Sequence, residues 1–269
     1  MTTEDRKAVL DAIASEVRVC DRCRLSEGRI NAVPGTGSPD TEVVFVGEGP
    51  GQREDQKGVP FVGAAGGLLE DLLALVGWKR EEVFITNVVK CRPPGNRDPE
   101  PDEIAACEPF LHRQLEVLDP ALLVTLGRFS LQMFMPGDRI GRVHGTERPV
   151  DPATGARAAT GYAMYHPAAA LRQASLKETM QRDMAAIPEA LIRARQGRAS
   201  SASSEPAPVQ LTQSTTDSAA VVAATVPAAV APVAAVESTP AAGDTTPDGL
   251  HETTEDATTA VPDDQLGLF

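Results

Sequence analysis

Short apolar runs alternate with amphipathic stretches along the front part of the chain. The apolar runs, the first two of them rich in β-branched residues, predict four strands at 42–47, 83–89, 121–126 and 162–165. Apolar residues at helical spacing predict helices at 65–76, 101–118 and 176–195, the last with Pro188 as a candidate interruption. Apolar strands separated by helices are typical of a parallel sheet covered on both faces. We therefore predict an α/β fold, a three-layer α/β/α sandwich around a central four-stranded, mainly parallel sheet.

The pattern changes near Gly197. From residue 198 onward the chain is mostly Ala, Thr, Ser, Pro, Val, Asp and Glu, with no aromatic residue before Phe269. Such a composition buries too little apolar surface to offset the entropy lost on ordering. We therefore predict a folded domain over 1–197 and a disordered, acidic Ala/Thr/Pro-rich tail over 198–269.

The charge of the chain is unevenly distributed. The 269 residues include 25 Lys and Arg against 38 Asp and Glu, for a net charge of −13. All the basic residues lie at or before Arg198, so the rest of the chain carries −10 and residues 1–198 carry only −3. The acidic balance therefore belongs to the tail, and it does not argue against a nucleic-acid partner for the front part.

The sequence shows no targeting or membrane signal. Its N-terminal residues are polar and charged and lack the apolar core of a secretory signal. No stretch reaches the roughly 18–20 apolar residues that a membrane span needs. We therefore expect a cytoplasmic protein and, since the sequence reveals no oligomer interface, a monomer.

The four cysteines are Cys20, Cys23, Cys91 and Cys107. In a reducing cytosol such residues are more often metal ligands or free thiols than disulfides. Four thiolates suit a structural zinc site with all-cysteine ligands or an iron–sulfur cluster. The spacing matches neither common ferredoxin pattern, so chemistry alone leaves zinc, a cluster and free thiols open.

Three polar side chains lie at the ends of predicted strands. Glu48 follows the first strand in a glycine-rich loop, Asn87 lies near the end of the second, and His166 follows the fourth. In parallel sheets, ligands bind beyond the carboxyl ends of the strands. The sequence therefore predicts a site at which a carboxylate, an amide and an imidazole meet.

Ordered motifs around these residues resemble those of the family 4 uracil-DNA glycosylases. The matching segments are Gly47-Glu48-Gly49-Pro50-Gly51, Glu54-Asp55, Gly58-Val59-Pro60-Phe61-Val62-Gly63, Ala65-Gly66, Ile85 to Arg97, and His166-Pro167-Ala168. The resemblance covers about residues 20–192. It implies a uracil-DNA glycosylase-like fold and a monofunctional enzyme of base-excision repair. Such an enzyme flips deoxyuridine out of DNA, hydrolyses its N-glycosidic bond and leaves an abasic site.

The resemblance implies two catalytic residues. Bond cleavage develops negative charge on the departing uracil, and His166 would donate a hydrogen bond to its O2 atom and stabilise that charge. Glu48 would lie near the sugar, where a carboxylate orients water or offsets oxocarbenium charge. The better-known family 1 enzymes use an aspartate around the first motif. The loop here offers none before Asp55, so the identity of the water-activating group stays open.

The resemblance also implies substrate-binding residues at Gly49, Glu54, Phe61 and Asn87. Phe61 would stack on the flipped pyrimidine. Asn87 would accept from N3–H and donate to O4, a pair that cytosine reverses. Glu54 would lie near C5, where bulk excludes thymine. Leu171, which follows the histidine motif, is a candidate wedge that fills the space left by the flipped base.

Further expectations concern the cofactor, the turnover and the DNA. Similar proteins hold a [4Fe–4S] cluster with this cysteine layout, so the resemblance selects a structural cluster. A divergent branch of the superfamily bonds to the abasic site through a histidine in an insertion after the motif that here begins at Ile85. Residues 93–106 contain no histidine and His144 lies in a later loop, so we expect turnover.

Basic loop residues beside the motifs are expected to contact DNA phosphates: Arg53, Lys57, Arg92, Arg97, Arg139, Arg142 and Arg172.

The end of the tail resembles a clamp-binding peptide. Gln265, Leu266, Leu268 and Phe269 resemble the short motif that bacterial replication and repair proteins insert into the sliding clamp. On a disordered tether, such an end can bind while the domain stays free to move. This hypothesis implies a bacterial source.

Two other functions stay open from the sequence. One is a glycosylase with broader specificity for deaminated bases such as hypoxanthine. The other is a catalytically weak nucleic-acid-binding module, which the intact set Glu48, Phe61, Asn87 and His166 disfavours.

Overall fold

The computed structural model describes residues 1–203. Apart from residues 198–203, the predicted tail lies outside the described residues, and so do the clamp-binding-like residues 265–269. Both therefore stay predictions, as does the domain boundary at 197. None of the helices in the described part is long and apolar enough to cross a membrane.

Strands and helices alternate through the described residues. The strands are β1 Thr36–Gly37, β2 Val43–Gly47, β3 Phe84–Asn87, β4 Leu122–Leu126, β5 Glu147–Pro149 and β6 Thr160–Met164. The α-helices are α1 Thr3–Val19, α2 Leu25–Gly28, α3 Gln52–Lys57, α4 Ala64–Leu75, α5 Pro101–Leu118, α6 Arg128–Phe134, α7 Ile140–Val143, α8 Pro167–Arg172, α9 Ala174–Ala185 and α10 Ile187–Ser203. Short 3-10 helices cover Arg80–Glu82, Pro94–Asn96 and Pro152–Thr154.

The six strands form one mixed sheet in the order β1-β3-β2-β4-β6-β5. Its four central strands are mutually parallel, and they are the four strands that the sequence predicts. The two outer strands pair antiparallel and are only two and three residues long. The prediction of a four-stranded sheet therefore describes the parallel core and omits both edges, which are too short to show a periodic pattern.

Helices cover both faces of the sheet. Alternate residues of β2 point to opposite sides, with Val44 and Val46 in one apolar cluster and Val43 and Phe45 in the other. Helices α1 and α5 contribute to the first cluster, and α4, α9 and α10 to the second. Each fully buried leucine in these layers contributes about 1.5–3 kcal/mol. The predicted three-layer architecture is confirmed.

Local sequence signals set the helix boundaries. Helix α5 begins at Pro101, as predicted, behind a capping box formed by Glu100 and Glu103, and it ends where Asp119 turns into the left-handed region. Helix α1 was not predicted, although Thr2 caps it and one apolar stripe buries it. The closing helix is interrupted at Ala186, two residues before Pro188, and α10 continues through Gly197 to Ser203.

Candidate active site

A pocket of about 200 Å³ opens at the carboxyl edge of the parallel strands. All six residues predicted for catalysis or substrate binding line it: Glu48, Gly49, Glu54, Phe61, Asn87 and His166. They come from segments far apart in the chain, and the parallel topology brings them to one rim. The structure therefore places the predicted site residues together.

Asn87 is the last residue of β3 and lies at a buried wall of the pocket. The residue is only 1% exposed, and its backbone carbonyl accepts a hydrogen bond of 2.8 Å from Lys90 Nζ. Its side-chain Oδ1 is buried and finds no hydrogen-bond partner within residues 1–203. An unpaired buried acceptor costs about 1–3 kcal/mol, so this atom is suited to a donor on a bound ligand.

Phe61 presents its ring to the same pocket from a strained turn. Its φ angle of 51° lies in the left-handed region, which costs a non-glycine residue about 1–3 kcal/mol and is common at functional sites. The ring lies 5.5 Å from the His166 ring, centroid to centroid. A Cβ atom at Gly47 would come within 2.7 Å of the Phe61 ring, so this glycine lets the ring approach the end of β2.

His166 caps the N-terminus of α8 and has a defined tautomer. Its Nδ1 accepts a hydrogen bond of 3.1 Å from the backbone N–H of Ala168. The ring proton must therefore sit on Nε2, which is left to donate. Burial lowers the pKa of His166 to about 4, although nearby Glu54 opposes that shift. At neutral pH the pocket thus contains an uncharged imidazole with one N–H donor.

Glu48 follows β2 and is half-buried at the pocket wall. Burial, together with the charge on Asp98, raises the pKa of Glu48 to about 7, and Arg128 opposes the shift. Asp98 and Arg128 form an ion pair with each other. Near neutral pH the Glu48 carboxyl is therefore present in both its ionised and its protonated form.

Glu54 binds the loop that carries Phe61. Its Oε1 atom accepts hydrogen bonds from the backbone N–H groups of Val62, at 2.8 Å, and Gly63, at 2.7 Å. The carboxylate that the resemblance places near C5 of the base thus also braces the adjacent turn. Its predicted role in excluding thymine stays a prediction.

The pocket includes residues to which the sequence reasoning gave no role at the site. Asn96 lines it, with a φ of 57° and with its side-chain oxygen accepting a 2.7 Å hydrogen bond from Arg92 Nε. The signal was present in the sequence, because Gly95-Asn96 within a proline-rich run is typical of a tight turn. A residue in such a turn next to the pocket is a candidate to contact water or substrate.

The predicted DNA-contacting cations, the candidate wedge Leu171 and His144 differ in whether they line this pocket. Of the seven predicted cations, Arg97 and Arg172 line the pocket and the other five do not. Leu171 is 53% exposed between two pocket-lining residues of α8. His144 does not line the pocket; its Nδ1 lies 2.9 Å from Asp183 Oδ2.

The four cysteines line a second, smaller cavity of about 10 Å³. None of them forms a disulfide. Cys91 Sγ accepts a hydrogen bond of 3.2 Å from Arg29 Nη1, and Cys107 Sγ accepts one of 3.2 Å from the backbone N–H of Lys90. Burial raises the pKa of Cys107 to about 11, so the thiolate form there requires a strong positive partner such as a metal.

The residues of this second cavity fit a thiolate-ligated group. Its lining contains three basic side chains, Arg22, Arg29 and Lys90, and no acidic one. Basic groups and N–H donors around sulfur stabilise negative charge. Within residues 1–203, no group of three or more His, Cys, Asp or Glu side chains is arranged to hold a metal ion as it stands. The four thiols and the basic lining fit a metal or iron–sulfur ligand. They do not distinguish zinc from an iron–sulfur cluster.

Lys90 lies between the two sites. The residue is 1% exposed, and its Nζ donates to Thr86 Oγ1 at 2.6 Å, the Asn87 carbonyl at 2.8 Å and Gln114 Oε1 at 2.8 Å. Burial lowers the pKa of Lys90 to about 8, and the Cys107 thiol opposes that shift. One side chain thus ties the end of β3 to α5 beside the cysteines.

Comparisons with known proteins agree with this arrangement. Residues 34–188 match the family model of the uracil DNA glycosylase superfamily. The chain is similar to the type-4 uracil-DNA glycosylase of Saccharolobus solfataricus, with 47% identity over 193 residues, 68% of this chain and 86% of the relative. It is also similar to the type-4 enzymes of Archaeoglobus fulgidus, with 45% identity over 67% of this chain and 92% of the relative, and Thermotoga maritima, with 43% identity over 63% and 87%.

The matched region contains every strand of the described sheet and every predicted residue of the pocket. The chain therefore belongs to the uracil DNA glycosylase superfamily. The resemblance to family 4 is confirmed as well, because the relatives named above are type-4 enzymes.

Proposed function

We propose that the pocket binds a deoxyuridine flipped out of DNA and hydrolyses its N-glycosidic bond. The products are uracil and an abasic site, which base-excision repair then processes. The superfamily match and the type-4 relatives support uracil excision in DNA repair. The observation that carries the assignment of the site is the buried Oδ1 of Asn87, which has no hydrogen-bond partner within residues 1–203 and lies in the same pocket as the rings of Phe61 and His166.

Asn87 selects the base. Its Oδ1 accepts from N3–H of uracil and its Nδ2 donates to O4, while Phe61 stacks on the ring. Cytosine has an unprotonated N3 and an amino group at C4, so both contacts fail. Each buried group then left unpaired costs about 1–3 kcal/mol.

His166 stabilises the leaving group. As the glycosidic bond breaks, negative charge develops on O2 of the uracil, and the Nε2–H group donates to that atom. The Ala168 N–H bond to Nδ1 keeps the donor proton on Nε2. A neutral donor stabilises the anion without a proton transfer.

Glu48 acts on the sugar side. In its ionised form the carboxylate orients the attacking water or offsets positive charge on the sugar in the transition state. A buried carboxylate is more effective there than one in water because the surroundings screen it less.

We also propose that Cys20, Cys23, Cys91 and Cys107 hold a [4Fe–4S] cluster. When bound, it would supply metal–thiolate bonds that join the segment after α1 to the segment after β3 and to α5, and it would take no part in bond cleavage. The shared cavity, the N–H donors to sulfur and the basic lining support this proposal.

The partners follow from the proposed reaction. Uracil-containing DNA is the substrate, and we expect Arg97 and Arg172, which line the pocket, to contact its phosphates. We propose a monomer that acts in the cytoplasm at the nucleoid. The sliding clamp is the proposed partner of Gln265, Leu266, Leu268 and Phe269, which lie outside the described residues.

One assay tests the proposed function. Anaerobically purified protein is incubated with a labelled oligonucleotide that holds one uracil, beside cytosine, thymine and hypoxanthine controls, and abasic sites are then cleaved with alkali. We expect cleavage at uracil alone over many turnovers, and loss of cleavage in Asn87→Ala. Equal cleavage at hypoxanthine would favour the broader-specificity enzyme, and no cleavage by protein of full iron content would contradict the proposal. Unchanged cleavage by Asn87→Ala would overturn the site assignment.

A further inference from the structure

Arg80 holds the turn that presents Phe61, although it does not line the pocket itself. It is the first residue of the 3-10 helix Arg80–Glu82. Its Nη1 donates to the Phe61 carbonyl at 2.9 Å, and its Nη2 donates to the Pro60 carbonyl. Its side chain is only 17% exposed. One guanidinium thus binds two consecutive carbonyls of the loop.

The same turn is bound from its other end by Glu54. Glu54 Oε1 accepts from the N–H groups of Val62 and Gly63, the two residues that follow Phe61. The Pro60 and Phe61 carbonyls, on either side of the Phe61 Cα atom, are therefore held by a cation, and the N–H groups of the next two residues are held by a carboxylate. Both ends of the left-handed residue are held by side chains from other elements.

The conformation of Phe61 explains why such contacts are needed. A φ of 51° is unfavourable for a phenylalanine, so an unrestrained loop would relax to an ordinary conformation. A peptide rotation there swings the attached ring, because the Cα–Cβ bond moves with the backbone. The ring would then leave its place beside His166, 5.5 Å away.

We propose that Arg80 is a positioning residue for uracil recognition: its two-pronged contact with the Pro60 and Phe61 carbonyls fixes the ring of Phe61 at the stacking angle. This inference rests on the proposed stacking role of Phe61. Arginine suits the task because its planar fork carries parallel donors, which a lysine ammonium does not provide. The other contact of Arg80, with Glu70 at 3.6 Å, involves a carboxylate that is 56% exposed, and exposed pairs contribute little.

Three variants separate positioning from general stability. Arg80→Met removes both donors and keeps the length of the side chain, Arg80→Lys keeps the charge without the fork, and Glu70→Gln removes only the peripheral ion pair. The readouts are the inhibition constant of free uracil, kcat and KM on a uracil oligonucleotide, and the Kd for uracil-free DNA. A structural role alone would not change uracil binding while leaving DNA binding intact.

We expect Arg80→Met to raise the inhibition constant of uracil and lower kcat/KM by about 10- to 100-fold, with an unchanged Kd for uracil-free DNA. The inhibition constant of uracil and the kcat/KM of Arg80→Lys should lie between those of Arg80→Met and those of the original protein. Both values for Glu70→Gln should equal those of the original protein. If Arg80→Met does not fold, Arg80→Lys carries the test, and its equality with the original in uracil inhibition would overturn the proposal.

A double-variant cycle with Phe61→Ala completes the test. If Arg80 acts through Phe61, Arg80→Met adds little to the loss already caused by Phe61→Ala. A full additional loss, or an equal weakening of binding to uracil-free DNA, would overturn the proposal. Phe61→Ala also separates the two levels of inference. An unchanged inhibition constant in that variant would remove the proposed stacking role itself. A raised constant there, with Arg80→Met at the original level, would remove only the role of Arg80.

Discussion

At the residue scale, burial shifts the pKa values of two pocket side chains in opposite directions. The pKa of His166 falls to about 4 and that of Glu48 rises to about 7. Both shifts favour the uncharged form, because a site withdrawn from water disfavours either sign of charge. The imidazole is therefore neutral throughout the physiological range, and the charge of Glu48 changes within it.

We predict that uracil release depends on the ionisation of Glu48. If its carboxylate orients water or offsets charge on the sugar, kcat should rise as the pH increases through about 7 and level off above it. The measurement is kcat for uracil release on a short oligonucleotide at a series of pH values, at constant ionic strength.

The matched control is Glu48→Gln, which keeps the shape of the side chain and cannot ionise. Its kcat should be low and independent of pH over the same range. Because the folded-state pKa lies above the ordinary value of 4.5, the stabilisation from protonated Glu48 is lost as the pH rises from about 4.5 to about 7. At higher pH Glu48→Gln should therefore unfold at higher denaturant concentration than the original protein. A wild-type profile that stays flat across neutral pH would exclude this role.

At the scale of elements, the short helix α8 and its N-cap residue supply both pocket-lining side chains and an exposed leucine. His166 caps it, and Ala168 and Arg172 line the pocket. Leu171 on the same helix stays 53% exposed, so simple packing within the described fold does not account for it. An exposed leucine beside a base-binding pocket is the placement expected of a wedge that enters the DNA stack.

We predict that Leu171→Ala lowers kcat/KM on double-stranded uracil DNA by about tenfold and has a smaller effect on single-stranded DNA. Only in a duplex does the flipped nucleotide leave an empty space opposite its partner base, which the leucine would fill. Leu75→Ala on α4 is the matched control, since Leu75 is 54% exposed and does not line the pocket. Equal losses on both substrates would contradict a wedge.

The link between β3 and α5 gives a prediction about stability. Lys90 Nζ supplies hydrogen bonds to Thr86, to the Asn87 carbonyl and to Gln114, and Lys90→Met leaves these buried acceptors short of a donor. We expect the free energy of unfolding to fall by about 1–3 kcal/mol, measured by denaturant titration. Lys177→Met, at an exposed position of α9, should change it by no more than about 0.5 kcal/mol. Equal stability of both variants would show that apolar packing replaces the lysine.

At the scale of the whole molecule, the parts that the sequence predicts are those with a strong local signal. Strands such as β4 are buried on both faces and read as nearly continuous apolar runs, with Thr125 as the one polar residue of β4. The rule that sites form at the carboxyl ends of parallel strands then brings Glu48, Asn87 and His166 together. The interruption of the closing helix is also anticipated by its proline, to within two residues.

Other features depend on contacts that no local pattern encodes. Strands β1 and β5 exist because a longer neighbour pairs with them. The part played by Arg80 depends on backbone carbonyls some twenty residues away in a left-handed turn. The two-sided role of Glu54 likewise appears only when the turn is folded against it. Such contacts form only in the folded chain. The sequence motifs show which residues are present near the site, but not which backbone groups those residues bind.

The cysteine site brings together residues that lie far apart in the chain, which leads to a prediction for the intact protein. Cys20 and Cys23 follow α1, Cys91 follows β3, and Cys107 lies on α5, so one group bound by all four would tie three distant segments together. If that group is a [4Fe–4S] cluster, anaerobic protein should contain about four iron atoms per chain and absorb visible light. Cys107→Ser should lose iron and melt at a lower temperature, because binding energy at this site is folding energy. Ser26→Ala, beside the same cavity, is a control that keeps all four sulfurs and should retain the iron. If the protein instead contained one zinc ion per chain and no iron, the cluster proposal would be wrong and the site would be the all-cysteine zinc site that the spacing also allows.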